Sequence, residues 1–307
     1  MISRNSALRA TLVVAAIAVA GVAMPSFAVA QDGPPDVVVS EAGAEPRRAL
    51  RYDLAAMQPQ TMVMTMDISM TMGGMMGNQT QVMPRLRMTM PMTDVRTEGE
   101  HLVVNYALDG MEALEREGVM PQLVPMMQEA LSAIGTMSGS LTLDNRGALI
   151  DSTFDLTGAD PAVAAQMQSM QDSMQQMTVP LPEEAVGVGA RWTVDTQVEA
   201  SGMSVNQRAT YELTALTETT ATMSVTLTQS AGSQPIEDPS LPPGMTVTLD
   251  SLETTGTGTM QLNFSQLVPT SSMTMSSSMS MSMSDPSGGT MPPMTIVNDM
   301  ALTIAAE

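Results

Sequence analysis

The stretch "TMVMTMDISMTM" (Thr61–Met72) decides the fold of this chain. Methionine or isoleucine occupies every even position of the stretch, while threonine, serine, aspartate and one valine occupy the odd positions. Side chains of a β-strand point alternately to opposite faces, so an apolar residue at every second position indicates a strand with one buried face. The stretch therefore predicts a strand in which methionine takes the place of the usual aliphatic residues.

The following run repeats this alternation after the glycine-rich sequence "GGMMGNQT" (residues 73–80), and the two runs together predict a β-hairpin. Further alternating runs predict a series of half-buried strands, with serine and threonine on the outer face. They lie at residues 102–108, 150–156, 192–198, 203–213, 223–227, 245–264, 273–283 and 294–304. Between Leu249 and Leu252 the apolar positions change from odd to even, which predicts a β-bulge near Ser251 or two strands joined there.

Two stretches have helical periodicity instead. In "MPQLVPMMQEALSAI" (Met120–Ile134) apolar residues recur at steps of three and four, and Asp160-Pro161 starts a second such stretch that ends at Met177. We therefore predict a mainly β (α+β) fold: a large curved antiparallel sheet, or half-barrel, with two amphipathic helices on its concave apolar face.

The N-terminus has the pattern of a secretory signal peptide. Arg4 and Arg9 precede an apolar run, and small residues lead to a cleavage site near Ala30. We expect an exported, soluble protein in the periplasm or outside the cell, with a flexible lead-in at residues 31–48 and a single β-rich domain at residues 49–307. No later stretch approaches the roughly 20 apolar residues of a membrane span, so stable membrane insertion is not expected.

The composition excludes several partners and reactions. The formal net charge is -20, and removing the leader with its two arginines makes it (12 - 2) - 32 = -22. A chain this acidic is repelled by nucleic acid, whose binding depends on basic residues. With Cys 0 the chain forms no disulfide and lacks a lipid-anchoring cysteine. His101 is the only histidine and is expected on the outer face, which argues against zinc and Ser-His-Asp sites.

One stretch of the sequence resembles a pattern found in a known group of proteins. "LPEEAVGVGARW" (Leu181–Trp192) resembles an LP-x-E-x-V-G-x-G-x-x-W stretch of uncharacterised exported bacterial proteins. The matching residues are Leu181, Pro182, Glu184, Val186, Gly187, Gly189 and Trp192. In layout this group is similar to periplasmic lipoprotein-carrier-like half-barrels, and the resemblance implies a curved sheet around an apolar hollow covered by helices.

Three interpretations of the 35 methionines remain open. They fill an ordinary core, they line a deformable site for a hydrophobic ligand, or some of them bind Cu(I) through their thioethers. The predicted lining consists of Met62, Met64, Met66, Met88, Met90, Met92, Met167, Met170, Met174 and Met177. The copper alternative rests on Met75, Met76, Met279, Met281 and Met283.

These observations predict a binding protein rather than an enzyme. We expect the chain to hold a lipid-like molecule or an apolar segment on a methionine-lined concave face, without a cofactor and with no identified protein partner. The alternatives are a periplasmic Cu(I)-binding protein and a structural or oxidant-scavenging envelope protein without a ligand.

Overall fold

The computed structural model describes residues 37–73, 78–132, 137–155, 181–200, 203–236, 246–284 and 293–307. The described part forms one large antiparallel sheet of fifteen strands, accompanied by one helix. The predicted mainly β fold with a large antiparallel sheet is confirmed. The strands are β1 (Val37–Glu41), β2 (Gln60–Gly73), β3 (Gln79–Val82), β4 (Arg85–Glu98), β5 (His101–Leu108), β6 (Gly110–Leu114), β7 (Met137–Leu143), β8 (Leu149–Asp155), β9 (Arg191–Ala200), β10 (Met203–Leu216), β11 (Thr220–Ala231), β12 (Gln234–Ile236), β13 (Thr246–Asn263), β14 (Thr270–Ser284) and β15 (Met294–Ala306). The helix α1 spans Leu123–Ser132.

The sheet is open, with β1 and β8 as its two outermost strands. The strand order is β1-β9-β10-β11-β13-β14-β15-β2-β4-β5-β7-β8, while β12, β3 and β6 pair with β13, β2 and β4. Strand β2 therefore lies in the middle, between β15 and β4. This arrangement places the methionine-rich hairpin at the centre of the sheet.

Alternation gives the sheet two different faces. We call the face that carries Met64 the inner face and the face that carries Thr65 the outer face. Neighbouring strands keep the register: Met64 lies opposite Met88 on β4 and opposite Ile304 on β15. Apolar side chains thus form continuous rows across the strands, and burial of these rows stabilises the sheet by the hydrophobic effect.

The predicted irregularity near Ser251 is confirmed. Strand β13 is continuous, and its register with β14 shifts between Leu249 and Ser251. The extra residue, Asp250, brings both Leu249 and Leu252 onto the inner face, where both are buried. A bulge thereby reconciles the change of parity with one long strand.

The segment Leu50–Asp53 crosses one end of the sheet, which we call the near end. The backbone N–H of Tyr52 donates to the carbonyl of Asn145, in the turn between β7 and β8, at 2.8 Å. The N–H of Asp53 donates to the carbonyl of Phe264, just after β13, at 2.7 Å. Strand β13 and the β7–β8 pair lie far apart in the strand order, so the sheet must curve to bring both within reach of adjacent residues.

The sequence Leu181–Trp192 closes the same end. Leu181 and Val186 are fully buried, and Arg48 and Val186 exchange backbone hydrogen bonds of 3.0 and 2.9 Å. Gly187 permits the closest approach, because a Cβ atom added there would lie 1.8 Å from the carbonyl oxygen of Ala44. The resembling stretch is therefore a structural closure of the near end.

Three arginines hold this closure through backbone carbonyls. Arg51 donates to the carbonyls of Leu50, Pro182 and Glu183 at 2.7, 2.8 and 2.9 Å. Arg146 donates to the carbonyl of Leu181 at 2.9 Å and pairs with the Glu183 carboxylate. A guanidinium has five donors in a rigid fork, which lets one side chain bind several carbonyls at once. The third arginine, Arg48, binds the carbonyls of Thr217 and Glu218 and lies 4.8 Å above the Phe264 ring.

The sheet extends into the predicted flexible lead-in, residues 31–48. From Val37 this segment forms β1, which pairs with β9 through Val37↔Val194 and Val39↔Trp192. The expected flexibility is corrected for residues 37–48: valines 37 and 39 pack against the core cluster that contains Trp192.

The helices differ from expectation. Helix α1 has no buried residue, and it meets β6 rather than the concave apolar face. The side-chain amide of Gln128 accepts from the N–H of Ala113 at 2.8 Å and donates to the carbonyl of Met111 at 3.3 Å. These two backbone groups point away from β4, so α1 covers the free edge of β6.

The second predicted helix, residues 160–177, lies outside the described residues. Within the described ranges, no helix has the length and apolar character needed to cross a membrane.

Candidate functional site

The methionines predicted as a lining lie together on the inner face. Met62 lies opposite Met90 and Met64 opposite Met88 on the paired strands β2 and β4. Met62, Met64, Met90 and Met92 are buried, while Met66 and Met88 are partly buried and pack against the same cluster. The remaining predicted lining residues, Met167, Met170, Met174 and Met177, lie outside the described ranges.

The cluster around these methionines is apolar and contains few aromatic rings. Its other buried members include Leu102, Val104, Tyr106 and Leu302. Burial raises the pKa of the Tyr106 hydroxyl to about 12, because the anion is poorly solvated there. The cluster therefore offers flexible thioethers and aliphatic groups, and its phenol stays protonated at neutral pH.

A second apolar cluster surrounds an aromatic pair and includes the residues that close the near end. Trp192 on β9 and Tyr211 on β10 are cross-strand partners, stacked with ring centroids 5.6 Å apart and planes 15° apart. Both residues are fully buried. The indole Nε1 of Trp192 and the hydroxyl of Tyr211 have no hydrogen-bond partner among the described residues. Burial also raises the pKa of the Tyr211 hydroxyl, so this group remains a neutral donor.

A row of polar side chains crosses the inner face between this cluster and a third apolar cluster, which contains Leu249, Met279 and Ile296. We call it the polar row; each member lies directly opposite the next on the neighbouring strand. Its members are Thr196, Gln207, Gln229, Thr254, Ser277 and Asn298, on β9, β10, β11, β13, β14 and β15. Beyond Asn298 the next partner is Met70 on β2. The expectation that serine and threonine take only the outer face is therefore wrong at Thr254 and Ser277, which are both buried.

Hydrogen bonds satisfy only part of the polar row. Gln229 Nε2 donates to Gln207 Oε1 at 2.6 Å, and Thr254 Oγ1 donates to Ser277 Oγ at 3.0 Å. Asn298 is 1% exposed, and neither its Nδ2 nor its Oδ1 has a partner among the described residues. The Oγ1 of Thr196 is likewise buried and unpaired in the described chain. A buried polar group without a partner costs about 1–3 kcal/mol, so the unpaired members of this row reduce the stability of the sheet.

The inner face also lacks charged residues over the described strands of the polar row. The inner positions of the described strands that contribute to the polar row carry only apolar, hydroxyl, amide and glycine residues. The acidic and basic residues of these strands occupy the outer face, where Arg208 pairs with Asp195 at 2.6 Å and Arg191 with Glu212 at 3.0 Å. The high negative charge of the chain is therefore kept away from the inner face.

A separate polar groove of about 550 Å³ lies on the outer face, and the sequence did not predict it. Asp67 and Arg116 lie at one side of the groove, with nitrogen and oxygen 3.3 Å apart, and Ser69 accepts from Arg116 at 2.8 Å. Arg85 donates twice to Asp67, and this hydrogen bonding, together with the charge of Arg116, lowers the pKa of the Asp67 carboxyl. Since Asp67 is already held by two arginines, its carboxylate is occupied by ion pairs within the protein.

The methionines of the copper alternative are positioned as core residues where they are described. Met279 and Met281 are buried in the third apolar cluster with Leu249 and Ile296, and Met283 packs against it. Met75 and Met76 lie outside the described ranges. Among the described residues no group of three or more His, Cys, Asp or Glu could hold a metal ion. His101 is exposed at the start of β5.

Comparison with known proteins gives one family match. Residues 164–266 match a family of unknown function (DUF6263). This range is less than half of the 307 residues, and it contains the closure Leu181–Trp192, the stacked pair and the polar row from Thr196 to Thr254. It does not contain Ser277, Asn298 or the methionine-rich hairpin. A comparison with curated proteins finds no match.

Proposed function

We propose that this chain is an exported, non-enzymatic binding protein that holds a hydrophobic, lipid-like molecule on its inner face. The observation that carries the proposal is the joining of methionines from β2 and β4 into one apolar surface at the centre of an open, curved sheet. The leader sequence ending near Ala30 supports a location in the envelope or outside the cell, where such a carrier would meet lipids.

Methionine suits this role because of its flexibility. Its unbranched side chain has three rotatable bonds and a polarisable sulfur, so it adapts to apolar partners of different shape. Met62, Met64 and Met90 are buried, so binding requires their side chains to rearrange around the ligand. Leucine or isoleucine would fill the same space but would adapt less readily.

Burial of apolar ligand surface supplies the driving force. Each Å² of apolar surface removed from water contributes about 25 cal/mol, and a long hydrocarbon chain therefore binds without any charged contact. An uncharged inner face and a negatively charged outer face agree with this mode of binding, because the outer charges keep the carrier dissolved while the ligand stays inside.

Native mass spectrometry of the protein isolated from its own cell envelope, without chelators, tests the proposal. We expect a bound mass of several hundred daltons that organic extraction removes. A chain that carries only copper would contradict the proposal in favour of the copper alternative. A bare chain that also takes up no lipid after incubation with an extract of the same envelope would contradict any ligand role.

The double variant Met88→Leu/Met90→Leu separates the two binding hypotheses further. Leucine keeps the apolar character of the surface and removes two thioethers, so lipid uptake should persist while a copper site that used these sulfurs would be lost. Loss of lipid uptake in a folded double variant would contradict the proposed lining.

A further inference from the structure

We infer that the polar row is the subsite for the uncharged polar group of an amphiphilic ligand, with Asn298 as its principal hydrogen-bonding residue. This inference rests on the proposed function and specifies the chemical class of the ligand. It identifies the ligand as a neutral amphiphile, such as a long-chain alcohol, amide or ester, in preference to a pure hydrocarbon or an anionic lipid.

The register of the strands shows that the row is a single feature. One polar residue occupies the inner position on each of six neighbouring strands, and all six lie opposite one another. On either side of Asn298 the inner positions of β15 are apolar: Ile296 and Met300, both buried. Ser277 on β14 is flanked in the same way by Met275 and Met279. The row is thus a polar strip between two apolar surfaces.

The free hydrogen-bonding capacity is concentrated at Asn298. Its amide is buried, and both the Nδ2 donor and the Oδ1 acceptor lack partners among the described residues. Buried amides in folded proteins are almost always paired with protein, water or ligand. An unpaired amide between two apolar clusters of the inner face therefore indicates the position of a ligand group that both donates and accepts.

The charge of that group follows from its surroundings. No basic side chain lies at the inner positions of the strands that carry the row, so a carboxylate or phosphate placed beside Asn298 would be desolvated without a counter-charge. A hydroxyl, amide or ester loses far less hydration and can use both atoms of the amide. The polar row therefore selects a neutral polar group and disfavours an anionic one.

The location of the row also predicts where the hydrocarbon lies. Successive inner positions along a strand are about 6.6–7 Å apart, so apolar surface begins within one such step on both sides of Asn298. A ligand whose polar group meets Asn298 can place its chain against the cluster of Met279 and Ile296 or against that of Met275 and Met300. Both directions offer methionine.

Competition between three probes of equal chain length tests the inference. Delipidated full-length mature protein is incubated with hexadecane, hexadecan-1-ol and hexadecanoate, and bound masses are compared by native mass spectrometry. We expect the alcohol to bind about tenfold more tightly than the alkane, as one net hydrogen bond implies, and the carboxylate to bind less well than the alcohol at pH 8.

The variant Asn298→Leu should remove the preference for the alcohol while alkane binding persists. Thr295→Val, a polar-to-apolar change on the outer face of the same strand, is the matched control and should keep the preference. If Asn298→Leu does not fold, Ser277→Ala, which removes one hydroxyl of the row, should reduce the preference.

Equal binding of alcohol and alkane by the wild-type protein would overturn the inference and leave the proposed function standing, with water as the partner of Asn298. An unchanged preference in Asn298→Leu would overturn it as well. Binding of none of the three probes would overturn the proposed function and the inference together.

Discussion

Asn298 on β15 lies directly opposite Ser277 on β14, and both residues are buried and polar. The neighbouring inner positions along each of these two strands are apolar. Neither atom of the Asn298 amide is paired among the described residues, while Ser277 accepts from Thr254. The described part of the sheet therefore contains an unsatisfied amide. Replacing it with an apolar residue of similar size should stabilise the free protein.

We predict that Asn298→Leu raises the free energy of unfolding of the delipidated protein by about 1–3 kcal/mol, since it removes an unpaired buried polar group. Urea unfolding followed by circular dichroism measures this change. The matched variant is Thr254→Val, which breaks an existing hydrogen bond and leaves the Ser277 hydroxyl without its donor. It should be neutral or destabilising, and an equal gain in both variants would contradict this explanation.

The stacked pair leads to a second prediction. Trp192→Ala should lower the free energy of unfolding by about 3–5 kcal/mol, because it leaves a large cavity beside Tyr211 in a fully buried cluster. Tyr211→Phe removes only an unpaired hydroxyl and should leave stability unchanged or slightly raised. A loss of several kcal/mol in Tyr211→Phe would mean that the hydroxyl is hydrogen-bonded in solution. Thermal and urea unfolding of both variants provide the measurement.

The closure of the near end should depend on a guanidinium at residue 51. Arg51→Lys replaces a fork that reaches three carbonyls with a single ammonium, and we expect a loss of about 1–3 kcal/mol. Arg96→Lys is the control: among the described residues Arg96 forms ion pairs only with the exposed carboxylates Asp94 and Glu98, so its effect should stay within about 0.5 kcal/mol. Equal effects of the two substitutions would argue against the role assigned to Arg51.

Gly187 offers a test of the same closure at the backbone. Gly187→Ala would place its Cβ 1.8 Å from the carbonyl oxygen of Ala44, so the two segments must separate. We expect marked destabilisation and greater susceptibility to proteolysis near residues 42–48 and 181–190. Gly232→Ala serves as the control, because a Cβ there meets no atom within 4 Å. Wild-type stability of Gly187→Ala would show that these segments do not approach as described.

The ion pairs of Asp67 predict a pH dependence. The folded protein lowers the pKa of this carboxyl, chiefly through its hydrogen bonds with Arg85, below the ordinary value of about 4. The stabilisation is therefore fully present above the unfolded pKa and disappears as the pH falls through the lower, folded pKa. The difference in unfolding free energy between wild type and Asp67→Asn should be constant from pH 8 to about pH 5 and shrink below about pH 4. A difference that does not vary with pH would contradict this assignment.

Alternation in the sequence was sufficient to predict the longer strands, most of their inner positions and the bulge near Ser251, but not β1, β6, β7 and β12. The predicted features depend on local periodicity, which a single strand reveals. The strand order was not predictable, because it depends on pairings between distant segments. The place of α1 was also missed: its apolar spacing indicated a buried stripe, whereas Gln128 binds the edge of β6.

The polar row shows the same division between local and distant information. Ser277 and Asn298 occupy inward positions that could be read from the sequence, since each interrupts a series of apolar residues at every second place. What could not be read was their alignment with Thr254, Gln229 and Gln207, because register is set by pairing across strands. Isolated polar residues looked like exceptions, and only the assembled sheet shows that they form a row.

The most direct test of the central claim is the electron density on the inner face of protein purified from its native source without detergent or organic solvent. We predict elongated density along the methionines of β2, β4, β14 and β15, with a polar group within about 3 Å of the Asn298 amide. An inner face filled only by protein side chains, with Asn298 bound to a single water, would contradict the claim that this sheet holds an amphiphilic ligand.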